Sequence, residues 1–139
     1  MTVFLDTSGL YAVFDRDDAN HSAASTLWTQ LLRGATLLTN NYVLLETAAL
    51  LQHRIGVAAV RALHEEVTPL LQVDWISEER HRAGMDAVLA AARKKLSLVD
   101  CVSFQTMRHR GVRTAFCFDA HFREQGFSTT PFSTRRGPE

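Results

Sequence analysis

A short apolar run that ends in a carboxylate, Val3-Phe4-Leu5-Asp6, constrains the fold of this chain more than any other stretch. Three large apolar residues in succession are typical of a strand that is buried on both faces, and such strands belong to parallel sheets covered by helices. Asp6 would then lie at the carboxyl end of a central strand, which is where open α/β sheets bind their ligands. We therefore expect the rest of the chain to supply partners for Asp6.

Strand and helix patterns alternate along the chain. Further strands are predicted at 36–39, 70–73 and 114–118, and helices at 7–14, 19–32, 42–55, 57–67, 77–95, 97–110 and 120–125. This alternation predicts right-handed βαβ units and a three-layer α/β/α sandwich. A length of 139 residues fits a single domain, 1–139, with a flexible C-terminal tail from about residue 129.

The overall composition restricts the partners and the compartment. The 15 basic and 15 acidic residues cancel, so any contact with nucleic acid must come from a local cluster of cations. Cys101 and Cys117 lie in apolar surroundings and far apart in sequence, which favours free buried thiols in a reducing compartment. No basic segment followed by an apolar stretch begins the chain, and no run approaches the roughly 18 apolar residues of a membrane span. We expect a soluble cytoplasmic protein.

Four acidic residues follow apolar runs or lie near the start of helices: Asp6, Glu46, Asp100 and Asp119. Each has a structural explanation by itself. Asp6 and Asp119 could cap the helices that follow them, Ser97-x-x-Asp100 fits a capping box, and Glu46 could be a solvated helix residue. Taken together they are harder to explain in this way, because all four are predicted to project from one edge of a parallel sheet.

Electrostatic repulsion distinguishes a set of caps from a binding site. Two carboxylates about 4 Å apart repel each other by roughly 4 kcal/mol at an effective dielectric constant near 20. A cluster of four must therefore bind either protons or a cation. Oxygen ligands favour a hard ion, Mg²⁺ or Mn²⁺, and such ions serve in the hydrolysis of phosphodiesters.

Four segments of the chain resemble the motifs of PIN-domain ribonucleases, and most closely the toxins of VapBC-type toxin–antitoxin pairs. They are 3–8, 39–47, 96–104 and 116–122. The resemblance covers nearly the whole chain and implies that Asp6, Glu46, Asp100 and Asp119 are metal-binding catalytic acids, with Thr7 or Ser8 as helpers. It also implies a central parallel sheet of four or five strands, Mg²⁺- or Mn²⁺-dependent cleavage of RNA, a homodimer, and a cognate antitoxin that blocks the site.

Three alternative functions remain open at this point. PIN domains with the same acids also act in RNA processing without an antitoxin. A phospho-acceptor receiver domain is also a parallel α/β sheet, but it needs paired acids after the first strand, and Asp6 has no acidic neighbour. The third alternative is a PIN scaffold that binds RNA or protein without catalysis. It is disfavoured because crowded negative charge would repel a polyanion such as RNA.

Cation clusters that could contact RNA are Arg54, Arg93-Lys94-Lys95, and Arg108 with Arg110 and Arg113. The alternative is that these residues are the C-terminal charges of helices, where cations are favourable. Histidines 109 and 121 are predicted to be surface residues. Trp28, Tyr42 and Trp75 are predicted to lie in the core or a dimer interface rather than to stack on bases.

Overall fold

A parallel sheet of five strands forms the centre of the protein, in a computed structural model that describes residues 1–130. The strands are β1 (Thr2–Leu5), β2 (Thr36–Asn40), β3 (Gln72–Asp74), β4 (Thr114–Phe116) and β5 (Ser128–Thr130). Their order in the sheet is β3-β2-β1-β4-β5, and every neighbouring pair is parallel. The predicted sheet is therefore confirmed, with β1 at its centre.

Seven α-helices connect and cover these strands within the described residues. They are α1 (Thr7–Phe14), α2 (His21–Gly34), α3 (Asn41–Arg54), α4 (Val57–Ala62), α5 (Glu78–Ala91), α6 (Leu98–Arg110) and α7 (His121–Glu124). A π-helical turn at Leu63–Val67 and a 3₁₀ turn at Thr68–Leu70 follow α4. The protein has the three-layer α/β/α architecture that the sequence predicts. No helix in the described residues is long and apolar enough to cross a membrane.

The core lies along β1, where Phe4 and Leu5 are completely buried. Helix α1 packs closely against β4 because residue 9 is glycine. A Cβ atom at Gly9 would lie 2.4 Å from the carbonyl oxygen of Phe116, which is closer than any real contact allows. The absence of a side chain at this position therefore sets the distance between the first helix and the fourth strand.

A polar network holds the carboxyl ends of β2 and β3. The carboxylate of Asp74 lies 2.8 Å from Arg80 Nη1 and 3.4 Å from Arg110 Nη2. Arg80 also donates a hydrogen bond to Thr106 Oγ1 at 3.0 Å, and Thr106 accepts another from the buried amide of Asn40 at 3.2 Å. The network joins β3, β2, α5 and α6, so it stabilises the packing of the α5–α6 pair against the sheet.

Some element boundaries differ from the sequence predictions. The helix predicted at 77–95 ends at Ala91, because Ala92 adopts a left-handed conformation with φ of 52°. Residues 93–95 therefore do not form the last turn of that helix. Residues 129 and 130 belong to β5 rather than to a tail, and the remainder of the predicted tail lies outside the described residues. Both cysteines are free and buried, as predicted.

Candidate active site

A cleft of about 440 Å³ opens beside the carboxyl ends of β1 and β4. All four predicted acids line it. Asp6 and Asp119 come from the segments after the two strands, Glu46 comes from α3, and Asp100 comes from the first turn of α6. The four side chains thus line one cleft, but the described group whose ligand atoms lie within 4.8 Å of one another consists of Asp100, Asp119 and His121 and does not include Asp6 or Glu46. The roles of the four acids as catalytic and metal-binding groups stay a prediction.

Asp6 is the most deeply buried of the four, with 3% of its surface exposed. It is the N-cap of α1, and its Oδ2 accepts hydrogen bonds from the Ser8 amide at 3.3 Å and from Ser8 Oγ at 2.8 Å. The Asp6 amide donates to the carbonyl of Phe116 at 3.1 Å. The helix cap therefore fixes the Asp6 side chain, and the capping and site interpretations of this residue are compatible.

Ser8 also connects the two strand ends that carry acids. Its Oγ accepts a hydrogen bond from the Phe118 amide at 2.9 Å, while donating to Asp6. Phe118 precedes Asp119, whose Oδ1 accepts from the His121 amide at 3.0 Å. A single hydroxyl thus joins the α1 start to the segment after β4 and fixes the relative positions of Asp6 and Asp119.

Asp100 takes part in the capping box that the sequence predicts. Its amide donates to Ser97 Oγ and its Oδ2 accepts from the Ser97 amide, both at 3.1 Å. The same Oδ2 lies 3.2 Å from His121 Nδ1. Asp100 therefore starts α6 and faces the cleft at the same time.

The electrostatics of the site oppose ionisation of Asp6. Burial, and then the nearby charges of Asp119 and Asp100, raise the pKa of Asp6 from 3.8 to about 8, although hydrogen bonds from Ser8 act in the opposite direction. Burial and the charge of Asp6 also raise the pKa of the Cys117 thiol. No arginine or lysine among the described residues lies within salt-bridge distance of the four acids. The negative charge of these four carboxylates is therefore left for a proton or an added cation to neutralise.

The donor set fits a divalent ion. Carboxylate oxygens are the ligands that Mg²⁺ and Mn²⁺ prefer, and single oxygen or nitrogen atoms of Asp100, Asp119 and His121 lie within 4.8 Å of one another. The prediction that His121 is an ordinary surface residue was incomplete, because its side chain is only 20% exposed and faces Asp100. Its position two residues after Asp119, at the start of α7, is the sequence signal that could have placed it here.

Comparison with known proteins agrees with this geometry. The family model of the PIN domain matches residues 3–128. The 23S rRNA-specific endonuclease VapC20 of two Mycobacterium tuberculosis strains is 32% identical to this chain over 126 residues, which cover 90% of this chain and 95% of VapC20.

Solved structures give the same relationship. The crystal structure of M. tuberculosis VapC20, described as a toxin that cleaves the sarcin–ricin loop, superposes with a TM-score of 0.80 over the same shares of the two chains. FitAcB from Neisseria gonorrhoeae superposes with a TM-score of 0.65 at 13% identity, covering 93% of this chain and 96% of its own, and so shares the fold. The chain therefore belongs to the PIN-domain family and is a homologue of the VapC-type toxin VapC20.

Proposed function

We propose that this protein is a metal-dependent endoribonuclease that hydrolyses phosphodiester bonds in RNA, and that it is the toxin of a toxin–antitoxin pair. The observation that carries the proposal is that the four predicted acids line one cleft and that none of them lies within salt-bridge distance of an arginine or lysine in the described chain. Homology to a 23S rRNA-specific endonuclease supports the substrate class. Because an uncompensated acidic cluster repels RNA, it is useful to an RNA-binding protein only when a cation joins it.

In this proposal Asp6, Glu46, Asp100 and Asp119 hold Mg²⁺ or Mn²⁺. The bound ion would polarise the phosphoryl oxygen and neutralise charge that develops during hydrolysis. The protein contributes the positions of the ligands, because each of the buried carboxylates is oriented by a neighbour. Ser8 orients Asp6, and the Ser97 amide orients Asp100.

Proton transfer in the cleft follows from the state of Asp6. Since its pKa is raised to about 8, this side chain carries a proton at neutral pH in the protein alone and must release it when a cation binds. During hydrolysis an oxygen of water forms a bond to phosphorus, the ester bond breaks, and the departing oxygen gains a proton. Carboxylates that accept hydrogen bonds from the attacking water would hold it in line with the breaking bond.

The partners in this proposal are RNA, a second copy of the chain in a homodimer, and a cognate antitoxin. Because VapC20 is a 23S rRNA-specific endonuclease, 23S rRNA is the first substrate to test. A PIN-domain nuclease that processes RNA without an antitoxin is the alternative. Growth of cells separates the two, because a toxin arrests growth on expression and a small neighbouring gene product relieves the arrest.

Cleavage of an oligonucleotide that contains the 23S rRNA sarcin–ricin loop, followed by gel electrophoresis, tests the nuclease proposal. We expect cleavage in Mg²⁺ or Mn²⁺ and none in EDTA. Total cellular RNA serves as a second substrate, in case the target sequence differs from that of VapC20. Intact RNA from both substrates with either metal would contradict the proposal.

A further inference from the structure

Two cations line the acidic cleft, and neither has an acidic partner within salt-bridge distance among the described residues. They are Arg54, in the last turn of α3, and Lys95, in the connection between α5 and α6. Both are exposed to solvent, so their charges are available to a ligand.

The structure distinguishes these two from three of the other cations that the sequence suggested for RNA contact. Arg93 pairs with Glu124 at 3.4 Å, and Arg110 pairs with Asp74 at 3.4 Å. Arg108 donates to the side chain of Gln125 at 2.8 Å and lies over the ring of Phe127. None of these three lines the cleft. They fit a structural role better than a role in RNA binding.

Arg54 is held in place by an aromatic ring. Its guanidinium carbon lies 5.3 Å from the ring centre of Tyr11, which is 4% exposed and packs against Leu51 and Leu63. The Tyr11 hydroxyl donates to Asp15 at 2.6 Å, which fixes the ring from its other end. A guanidinium held against a ring in this way has less side-chain entropy to lose when it binds a phosphate.

The two cations lie near different members of the acidic cluster in sequence. Glu46, Leu50 and Arg54 follow one another at intervals of four residues on α3, and all three line the cleft. Arg54 is therefore about 12 Å along the helix axis from Glu46. Lys95 instead lies two residues before Ser97, whose amide orients Asp100.

We propose that Arg54 and Lys95 bind backbone phosphates of the RNA on either side of the bond that is cut, with Tyr11 as the positioning residue for Arg54. The inference rests on the proposed nuclease function. Charge complementarity supports it, because the acids and their cation hold one phosphate while unpaired cations at a distance attract the adjoining ones. The ligand class is the RNA phosphodiester backbone, without regard to base sequence.

Salt dependence of binding tests this inference. The probe is a fluorescein-labelled sarcin–ricin oligonucleotide in millimolar Mg²⁺, with Asp6→Asn in every protein so that no RNA is cut. We expect Arg54→Gln and Lys95→Gln each to weaken binding about fivefold to tenfold and to reduce the slope of log affinity against log salt by about 0.7. Arg33→Gln and Lys94→Gln are the matched controls, since both residues are exposed cations outside the cleft.

Cleavage by the same variants without the Asp6 substitution separates the two proposals. We expect Arg54→Gln and Lys95→Gln to raise KM with little change in kcat, and to leave the Mn²⁺-induced rise in melting temperature unchanged. If the protein cuts RNA and these variants match their controls in salt slope and KM, the phosphate inference is wrong and the nuclease function stands. If the parent protein neither binds nor cuts RNA, both proposals are wrong.

Discussion

Two aspartates at the same edge of the sheet are treated differently by the rest of the chain. Asp74, at the end of β3, is 8% exposed and lies beside two arginines. Asp6, directly after β1, is 3% exposed and faces two further carboxylates instead. Burial costs both carboxylates hydration, but only Asp74 is compensated by opposite charge from its own protein. A carboxylate at a strand end is therefore not in itself a sign of a catalytic site, whereas one without compensation is.

The contrast between Asp6 and Asp74 predicts that their substitution will affect RNA cleavage to very different extents. We expect Asp6→Asn and Asp100→Asn each to reduce RNA cleavage by roughly 100-fold or more, because the site loses a carboxylate that binds the cation. Asp74→Asn, measured at a temperature where it is folded, should keep cleavage within a few-fold of the parent protein. Initial rates of oligonucleotide cleavage measure this, and equal rates in all three variants would remove the distinction between the two aspartates.

The contrast also predicts the pH dependence of stability in EDTA. Because the pKa of Asp6 is raised from 3.8 to about 8, the folded protein keeps a proton that the unfolded chain loses first. Stability should therefore fall as pH rises through this interval, by about 1.4 kcal/mol per pH unit from this group. Urea unfolding at several pH values measures the slope. Asp6→Asn should flatten it and stabilise the protein at neutral pH, and an unchanged slope would contradict the assignment to Asp6.

A divalent ion should supply the positive charge that Asp6 lacks among its neighbours. We expect Mn²⁺ to raise the melting temperature by several degrees, since a ligand at 100 times its Kd stabilises the folded state by about 2.7 kcal/mol. Differential scanning fluorimetry measures the shift. Asp6→Asn should reduce the shift, while Asp74→Asn should retain it. No shift in the parent protein at millimolar Mn²⁺ would count against a metal site.

The smallest effect is expected from Asp74→Asn on the free energy of unfolding. Asp74→Asn should lower the free energy of unfolding by about 1–2 kcal/mol, because it leaves Arg80 and Arg110 without their shared carboxylate. Urea unfolding at neutral pH measures this loss. An Asp74→Asn variant as stable as the parent would mean that the two arginines are satisfied by solvent alone.

Local sequence signals were sufficient for four of the five strands, whereas β5 fell partly in the predicted tail. The buried run 3–5 indicated the central strand, and Ser97-x-x-Asp100 indicated the start of α6 and its capping box, which the structure contains. Both are short-range patterns, in which the identity of a residue determines the backbone around it. The family resemblance then ordered the four segments around one site.

Tertiary contacts account for what the sequence did not reveal. Arg93 pairs with Glu124, 31 residues away in sequence, and Arg110 pairs with Asp74, 36 residues away, so neither contact could be inferred from local sequence. The early end of α5 depends on the left-handed conformation of Ala92. Glycine is the usual residue at such a position, so nothing in the sequence indicated this end. His121 was predicted to be an ordinary surface residue, because its contact with Asp100 depends on tertiary packing and not on neighbouring residues in sequence.

Gly9 has a consequence for how this cleft can vary. Any larger residue there would push the first helix away from the fourth strand, and the hydroxyl of Ser8 would then lose either Asp6 or the Phe118 amide. The two acids would move apart even though neither had been substituted. Gly9, which has no side chain, therefore determines the spacing between Asp6 and Asp119.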